Sequence, residues 1–384
     1  MHSSKPSILI AGGGIGGMTA AAALAQAGFT VELLEAASAF GEIGAGVTLS
    51  PNAMRGMDFI GCQETVAAAG IEPQHQRIQH WHDDRTLFSM ERGDSRTKYG
   101  APYVYIHRAD LHQILLTAAR DAGAKLKAGA PVVASEGTTA ILADGSRITA
   151  DVLIGADGLK SAIRQRFEAQ PAHFTGHVAW RAVVPMTERL APLGEWPGIH
   201  VGPGRMITRY PVRHSRLLNL VFFARSDAWP EEGWMIPAEP GELAATYAGW
   251  ADDVQAMIAA AEREPHFRWA INARTPLPNW IVDGRVALLG DAAHAMTPFL
   301  GQGAASAIED AVILARAMAA ADTPEAGLQR YVAARHARAS FIQAESNANA
   351  DRMQGADTDM FGLSKLRNEE ALGLFDYDCR TVEI

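Results

Sequence analysis

The sequence predicts an α/β protein. An open parallel sheet of the Rossmann type is assembled from separated stretches of chain, a mainly antiparallel sheet is inserted into it, and helices close the C-terminus. Three observations predict this. A βαβ unit of about 30 residues opens the chain. Later buried strands end in glycine turns, GADG at Gly155 to Gly158 and LLGDAAH at Leu288 to His294. Between them the apolar pattern changes from short continuous runs to alternation.

Ser7 to Ala11 (SILIA) is a continuous apolar run ending in glycines, as suits a strand buried on both faces. A helix follows from about Ile15 to Ala27, closed by Gly28, and Thr30 to Glu35 returns as the second strand. An amphipathic helix is expected at Arg108 to Ala122, and a strand at Val152 to Ile154 leads into GADG. Arg285 to Leu289 gives another buried strand, followed by a helix from about Gln302 to Ala320. Arg77 to His82, Val178 to Val184, Ile199 to Val201, Arg205 to Val212 and Leu217 to Phe223 alternate and read as half-buried strands, with Gly202-Pro203-Gly204 as a hairpin connection. The first domain is therefore expected to comprise 1–72, 100–172 and 275–340, and the inserted sheet domain 73–99 and 173–274. The chain is expected to be helical from Tyr331. A helical tail of 341–384 contains a polar region at Asp351 to Glu370 and ends in FDYDCRTVEI.

The 384 residues are 48% hydrophobic and 20% charged, enough to bury a sizeable core across two domains. A net charge of -9 argues against a nucleic-acid partner, which needs a clustered positive footprint. Cys62 and Cys379 are too few for a disulfide framework and lack metal-binding spacing, so a reducing cytoplasm and no metal are expected. The start MHSSKPSILIAGGG leaves no room for a signal core, and no apolar run reaches 18 residues, so no membrane span is expected.

In GGGIGG, Gly12 permits a tight turn, Gly14 lets backbone approach a pyrophosphate, and Gly17 lets the helix pack close to the strand. The helix N-terminus adds free N-H groups. Glu35, at the carboxyl end of the second strand, can accept from ribose hydroxyls. Asp157 in GADG either caps a strand-to-helix turn or serves the same ligand. Asp291, just past a buried strand, suits a ribityl chain, a polyol that nicotinamide dinucleotides lack. Pro298 and the turn Gly301-Gln302-Gly303 then open a long helix, whose positive end can stabilise a reduced flavin anion. Together these segments point to FAD.

GGGIGG with Glu35, HRADL at His107 to Leu111, GADGLKSAIR at Gly155 to Arg164 and GDAAHAMTPFLGQG at Gly290 to Gly303 resemble the single-component FAD-dependent aromatic hydroxylases, of the para-hydroxybenzoate hydroxylase fold. GAGVTLSPNAMR at Gly44 to Arg55, TGHVAWR at Thr175 to Arg181 and the GPG hairpin are most similar to salicylate hydroxylase, 3-hydroxybenzoate 6-hydroxylase and 6-hydroxynicotinate 3-monooxygenase. The resemblance implies a GR2-type FAD domain. It also implies reduction by NADH or NADPH when a small aromatic acid is bound, and hydroxylation through a flavin C4a-hydroperoxide formed with O2. It further implies that Ala45, Val47 and Arg108 join the glycines, Glu35, Asp157 and Asp291 at the FAD, with Pro298 over the flavin ring. No second GxGxxG occurs, so the nicotinamide cofactor is expected to bind transiently to a cytoplasmic monomer or homodimer.

On the strand Arg205 to Tyr210, Met206, Thr208 and Tyr210 are expected to face one way and Arg205, Ile207 and Arg209 the other. In the relatives a histidine and a tyrosine four residues apart on this strand commonly face the ring. Tyr210 matches the tyrosine, while Met206 occupies the histidine position. A tyrosine is a poor base at neutral pH, which favours an already acidic ortho-hydroxy acid or a decarboxylating reaction. His200 and Arg181 are fallback candidates for proton acceptance and carboxylate pairing, and Trp180 and Phe299 for lining the substrate pocket. His294 reads as a structural histidine. Two rivals remain open: another FAD-dependent oxidoreductase of this fold, such as an isoprenoid reductase, and a flavin-binding protein without catalysis. The lysine-containing WxWxIP-like segment of a halogenase is absent, and intact Pro298, Gly301 and Gly303 argue against decay of the flavin site.

Overall fold

The computed structural model describes residues 5–41, 45–167, 171–229, 236–355 and 367–384. Its first sheet has the order Ile281–Val282, Val286–Leu288, Val152–Gly155, Ser7–Ala11, Thr30–Leu34, Lys125–Lys127. All neighbours in it run parallel except the hairpin Ile281–Val282 with Val286–Leu288. Short apolar runs such as SILIA are buried on both faces because helices Ile15–Gln26, Arg108–Asp121 and Gly303–Ala319 cover the sheet.

The second sheet has eight strands: Ile236–Pro237, Phe267–Ala273, His173–Pro185, Leu217–Arg225, Arg205–Val212, Gly198–Gly202, His75–His80, Thr86–Glu91. It is antiparallel apart from the parallel pair Gly198–Gly202 and His75–His80. Pro203 and Gly204 turn the hairpin between Gly202 and Arg205, and Gly204 takes the positive φ of +67° that this tight connection demands. Both faces of this sheet are buried. Helix Asp252–Ala261 packs on one with Trp180, Ile207 and Phe222. On the other, Met206, Val221 and Phe223 meet Phe299.

Two small sheets escape the periodicity argument. Gly46–Leu49 pairs with Val104–His107, and Val132–Glu136, Thr139–Leu142 and Arg147–Thr149 form a meander. Their strands are too short to establish a period.

The C-terminus differs from the expected helical tail. One helix spans Pro324–Met353, started by Pro324 and by Thr323, whose side chain accepts from Ala326 N. Residues 367–384 are turns with one short 3-10 segment, Leu374–Asp376. They are clamped by backbone carbonyls: Arg55 donates to Phe375 O and Tyr377 O, Arg316 to Cys379 O and Val382 O, and Arg338 to Leu374 O. Part of the predicted polar region, 356–366, lies outside the described residues. Among the described residues no helix is long and apolar enough to cross a membrane.

Candidate active site

A cavity of about 700 Å³ joins the loops at the carboxyl ends of the parallel strands to one face of the antiparallel sheet. At the first end it is built from backbone. Gly12 has φ +108°, and a Cβ on it would fall 2.3 Å from Ala156 O. Gly14 lines the cavity with no atom within 4 Å of its would-be Cβ, and the helix Ile15–Gln26 that follows has no side-chain cap. Glu35 stands just outside the cavity, its carboxylate accepting from Gly13 N at 2.7 Å and Ala37 N at 2.8 Å, and so braces the turn. Ala45 O accepts from Arg108 N at 2.7 Å, which sets Val47 and Arg108 into the cavity wall. Asp110 pairs with Arg213 through two bonds, at 3.0 and 3.2 Å.

Of its two expected roles, Asp157 takes that of holding its own turn. Its carboxylate turns back into its own loop, accepting from Ser161 Oγ at 2.5 Å, Ala162 N at 2.8 Å and Ile163 N at 3.3 Å. Burial pushes its pKa up despite these bonds. Its neighbours Ala156 and Gly158 line the cavity instead.

Asp291, Pro298, Gly301 and Gly303 line the cavity at the start of the 17-residue helix Gly303–Ala319. The Asp291 carboxylate is exposed to the cavity and makes no hydrogen bond among the described residues. Its turn is held from behind by Asp310, whose Oδ2 accepts from Gly290 N at 3.0 Å and lies 2.6 Å from His294 Nε2. Arg335 donates to Asp310 at 2.7 Å and to Glu309 at 2.6 Å, and Arg338 donates to Glu309 at 2.9 Å. Burial alone would raise the Asp310 carboxyl, but His294 and Arg335 hold it down at about 2. His294 is thus an internal strut.

At the other end the wall is made of side chains. Met206, Thr208 and Tyr210 face the cavity with Ile78, Val221 and Phe223, while Ile207 packs under the sheet. Arg181 lies in the same wall, its guanidinium 4.9 Å from the centre of the Trp269 ring. Phe299 lines the cavity too, edge-on to His177 at 5.1 Å. Tyr210 stacks on Tyr105 at 4.5 Å, and burial pushes its hydroxyl up to about 12 against the smaller pull of Arg181.

Two expected residues stand on the wrong side of this sheet. Trp180 is in register with Phe222 and packs into the core beneath, because the neighbouring Arg181 takes the cavity face. His200 is also turned away. Its Nε2 lies 2.9 Å from Asp84 Oδ1, and its Nδ1 lies 3.2 Å from Arg209 Nη1, a donor. The ring is therefore neutral, with the proton on Nε2. Burial, helped by Arg209 and opposed by Asp84, lowers His200 to about 4. Because the folded value lies below the ordinary 6.5, this stabilisation is complete above that pH and is lost as pH falls toward 4. Between pH 7 and 5 the loss is about 2 kcal/mol. His200→Asn is accordingly expected to narrow the difference in Tm between pH 7 and pH 5; an unchanged difference would refute a buried neutral ring.

Gln76, Thr48, Tyr103 and Asn272 also line the cavity. They come from separate elements, and apart from Thr48 in GAGVTLSPNAMR no motif or spacing marks them.

The family described as "FAD binding domain" matches residues 5–346. Among curated relatives, 3-amino-4-hydroxybenzoate 2-monooxygenase PtmB3 of Streptomyces platensis is 37% identical over 337 residues, covering 86% of this chain and 84% of the relative. The 3-hydroxybenzoate 6-hydroxylase 1 of Aquipseudomonas alcaligenes is 36% identical over 389 residues, covering 98% and 95%. Among solved structures, Klebsiella pneumoniae HpxO complexed with FAD and uric acid superposes with a TM-score of 0.83 at 28% identity, covering 97% of this chain and 95% of that one.

Proposed function

Since the chain belongs to the FAD binding domain family and is an FAD-dependent aromatic monooxygenase, we propose that it hydroxylates a small phenolic or hydroxypyridine carboxylic acid, with NADH or NADPH as electron donor and O2 as oxidant. The observation that carries this reading is one cavity that brings Arg181, Thr208 and Tyr210 together with Asp291, Pro298 and Gly301. The cofactor end fits FAD. A turn at Gly12 without space for a side chain and an uncapped helix start suit a pyrophosphate. The open Asp291 carboxylate suits a ribityl chain, and the helix start after Gly301 suits the flavin's pyrimidine edge.

Bound FAD supplies the electron transfer and oxygen activation. The side chains bind and orient the ring. Ile78, Met206, Val221 and Phe223 form an apolar slot that excludes water from the reacting carbon. Arg181 offers the substrate carboxylate a cation. Tyr210 stays protonated at neutral pH, so it donates to a ring oxygen and takes no proton from it. With Met206 at the usual histidine position and Tyr210 held protonated, a reaction helped by loss of CO2 from the attacked carbon asks least of the protein. That favours an ortho-hydroxy acid of the salicylate kind.

The test is the rate of NADH and NADPH oxidation with and without salicylate, 3-hydroxybenzoate and 6-hydroxynicotinate, with product and CO2 identified. If no aromatic acid accelerates either oxidation, the reading fails. Tyr210→Phe is expected to lower product formation about tenfold, the worth of one lost hydrogen bond, while FAD content stays unchanged. Turnover and coupling equal to the wild type would remove Tyr210 from the site.

A further inference from the structure

Among the polar groups of the cavity wall, Gln76 is held from behind by a buried cation. Gln76 lies on the strand His75–His80. Ile78 faces the cavity with it, and Arg77 between them turns outward, its guanidinium 3.3 Å from the centre of the Trp196 ring. Arg92, itself 2% exposed, stands behind Gln76. Its Nε and Nη2 donate to Gln76 Oε1 at 3.3 and 3.1 Å.

That contact fixes which way the amide points. A guanidinium has donors only, so Gln76 can offer it nothing but oxygen, and Nε2 takes the other side. Among the described residues Nε2 has no hydrogen-bond partner, so both its protons are available to the cavity.

Arg92 is itself immobilised. It lies over the rings of Tyr103 at 4.8 Å and Phe375 at 5.3 Å, and it pairs with Glu370 at 3.3 Å and Glu369 at 3.9 Å. With Lys98 also on Glu370, two cations meet two carboxylates, so the group presented to the cavity is a neutral, oriented donor whose ordering is complete before any ligand arrives.

We propose that Gln76 is a specificity-determining residue of this active site, its Nε2 donating to an acceptor atom on the edge of the aromatic substrate that meets the Tyr103 and Met90 wall. The class selected is a ring bearing a carboxylate or carbonyl oxygen, a phenolic oxygen or a pyridine nitrogen at that edge. A ring carrying only a methyl or an ammonium there leaves the oriented amide unpaired and is refused. This inference rests on the reading of the cavity as an aromatic-acid site.

Gln76→Glu separates recognition from architecture. The variant keeps an oxygen facing Arg92, replaces the donor by an acceptor and adds a negative charge, which the neutral Gln76→Leu does not. Salicylate, 3-hydroxybenzoate and 6-hydroxynicotinate serve as probes, followed by the change in flavin absorbance on binding and by steady-state oxidation of the nicotinamide cofactor. For whichever acid stimulates the wild type best, Gln76→Glu is expected to raise Kd and KM roughly ten- to a hundredfold. FAD content and Tm stay at wild-type values, and kcat falls less than KM rises. Gln76→Leu, neutral like the wild type, gives the same direction when the lost donor is the cause, with Gln76→Met in its place if it does not fold; wild-type Kd and KM in the neutral variant would assign the Glu effect to repulsion of the anion and overturn the role of Gln76. Wild-type Kd and KM in the Glu variant would overturn the role of Gln76 and leave the hydroxylase reading standing. Failure of every acid to stimulate the wild type would overturn that reading and this inference with it.

Discussion

Replacing Arg335 by methionine is expected to destabilise the protein by about 3–5 kcal/mol, because it strands buried carboxylates. Arg335, Glu309 and Asp310 are all fully buried, and the arginine donates to Asp310 at 2.7 Å, to Glu309 at 2.6 Å and to Ser306 O at 3.3 Å. His294 and Arg338 cannot replace it, since each already holds one carboxylate from another side. The site feels the loss too, because the same Asp310 accepts from Gly290 N and so places Asp291. Urea unfolding of the FAD-loaded protein should lose stability by that amount, with weaker FAD retention. A change below about 1 kcal/mol would mean that the carboxylates manage without Arg335. The sign with pH is fixed as well. The Asp310 value is depressed, so its contribution is present above the unfolded carboxylate range and is lost as pH falls toward 2.

Gly17→Ala is expected to yield protein essentially without flavin. A Cβ there would sit 2.0 Å from Gly12 O, a backbone atom that has no rotamer to escape into, and 3.4 Å from Ala156 Cβ. The helix Ile15–Gln26 must then slide off the strand that feeds it, opening the turn on which a pyrophosphate would rest. The ratio of absorbance near 450 nm to that at 280 nm reports the result, as an order-of-magnitude guide to bound flavin. A wild-type ratio would show that helix and strand can separate without losing the ligand.

The turns and strands were legible because each leaves a periodic or positional mark. Ser7–Ala11, the helix Ile15–Gln26 and the strand Arg205–Val212 lie within a residue or so of their predicted bounds. Period-two alternation placed Met206, Thr208 and Tyr210 on one face. Alternation does not say which face meets the ligand when both are buried. Trp180 and His200 fell on that ambiguity, one under helix Asp252–Ala261 and the other against Asp84. The C-terminal tail was illegible for a different reason. Arg55, Arg316 and Arg338 hold its carbonyls, and every residue type carries the same carbonyl. Gln76 and Arg92 were missed because their pairing depends on two neighbouring strands folding together.

The cavity is built in two materials, backbone at the glycine turns and side chains on the strand face. The first admits almost no substitution, since Gly12 and Gly17 lack the space for even a methyl group. The second is a row of replaceable side chains on strands whose ladder does not depend on them. On the proposed reading, substitutions at Gln76, Met206 or Thr208 are therefore expected to change substrate preference with the glycine turns left as they are, which makes this scaffold a two-part instrument with one fixed half and one interchangeable half.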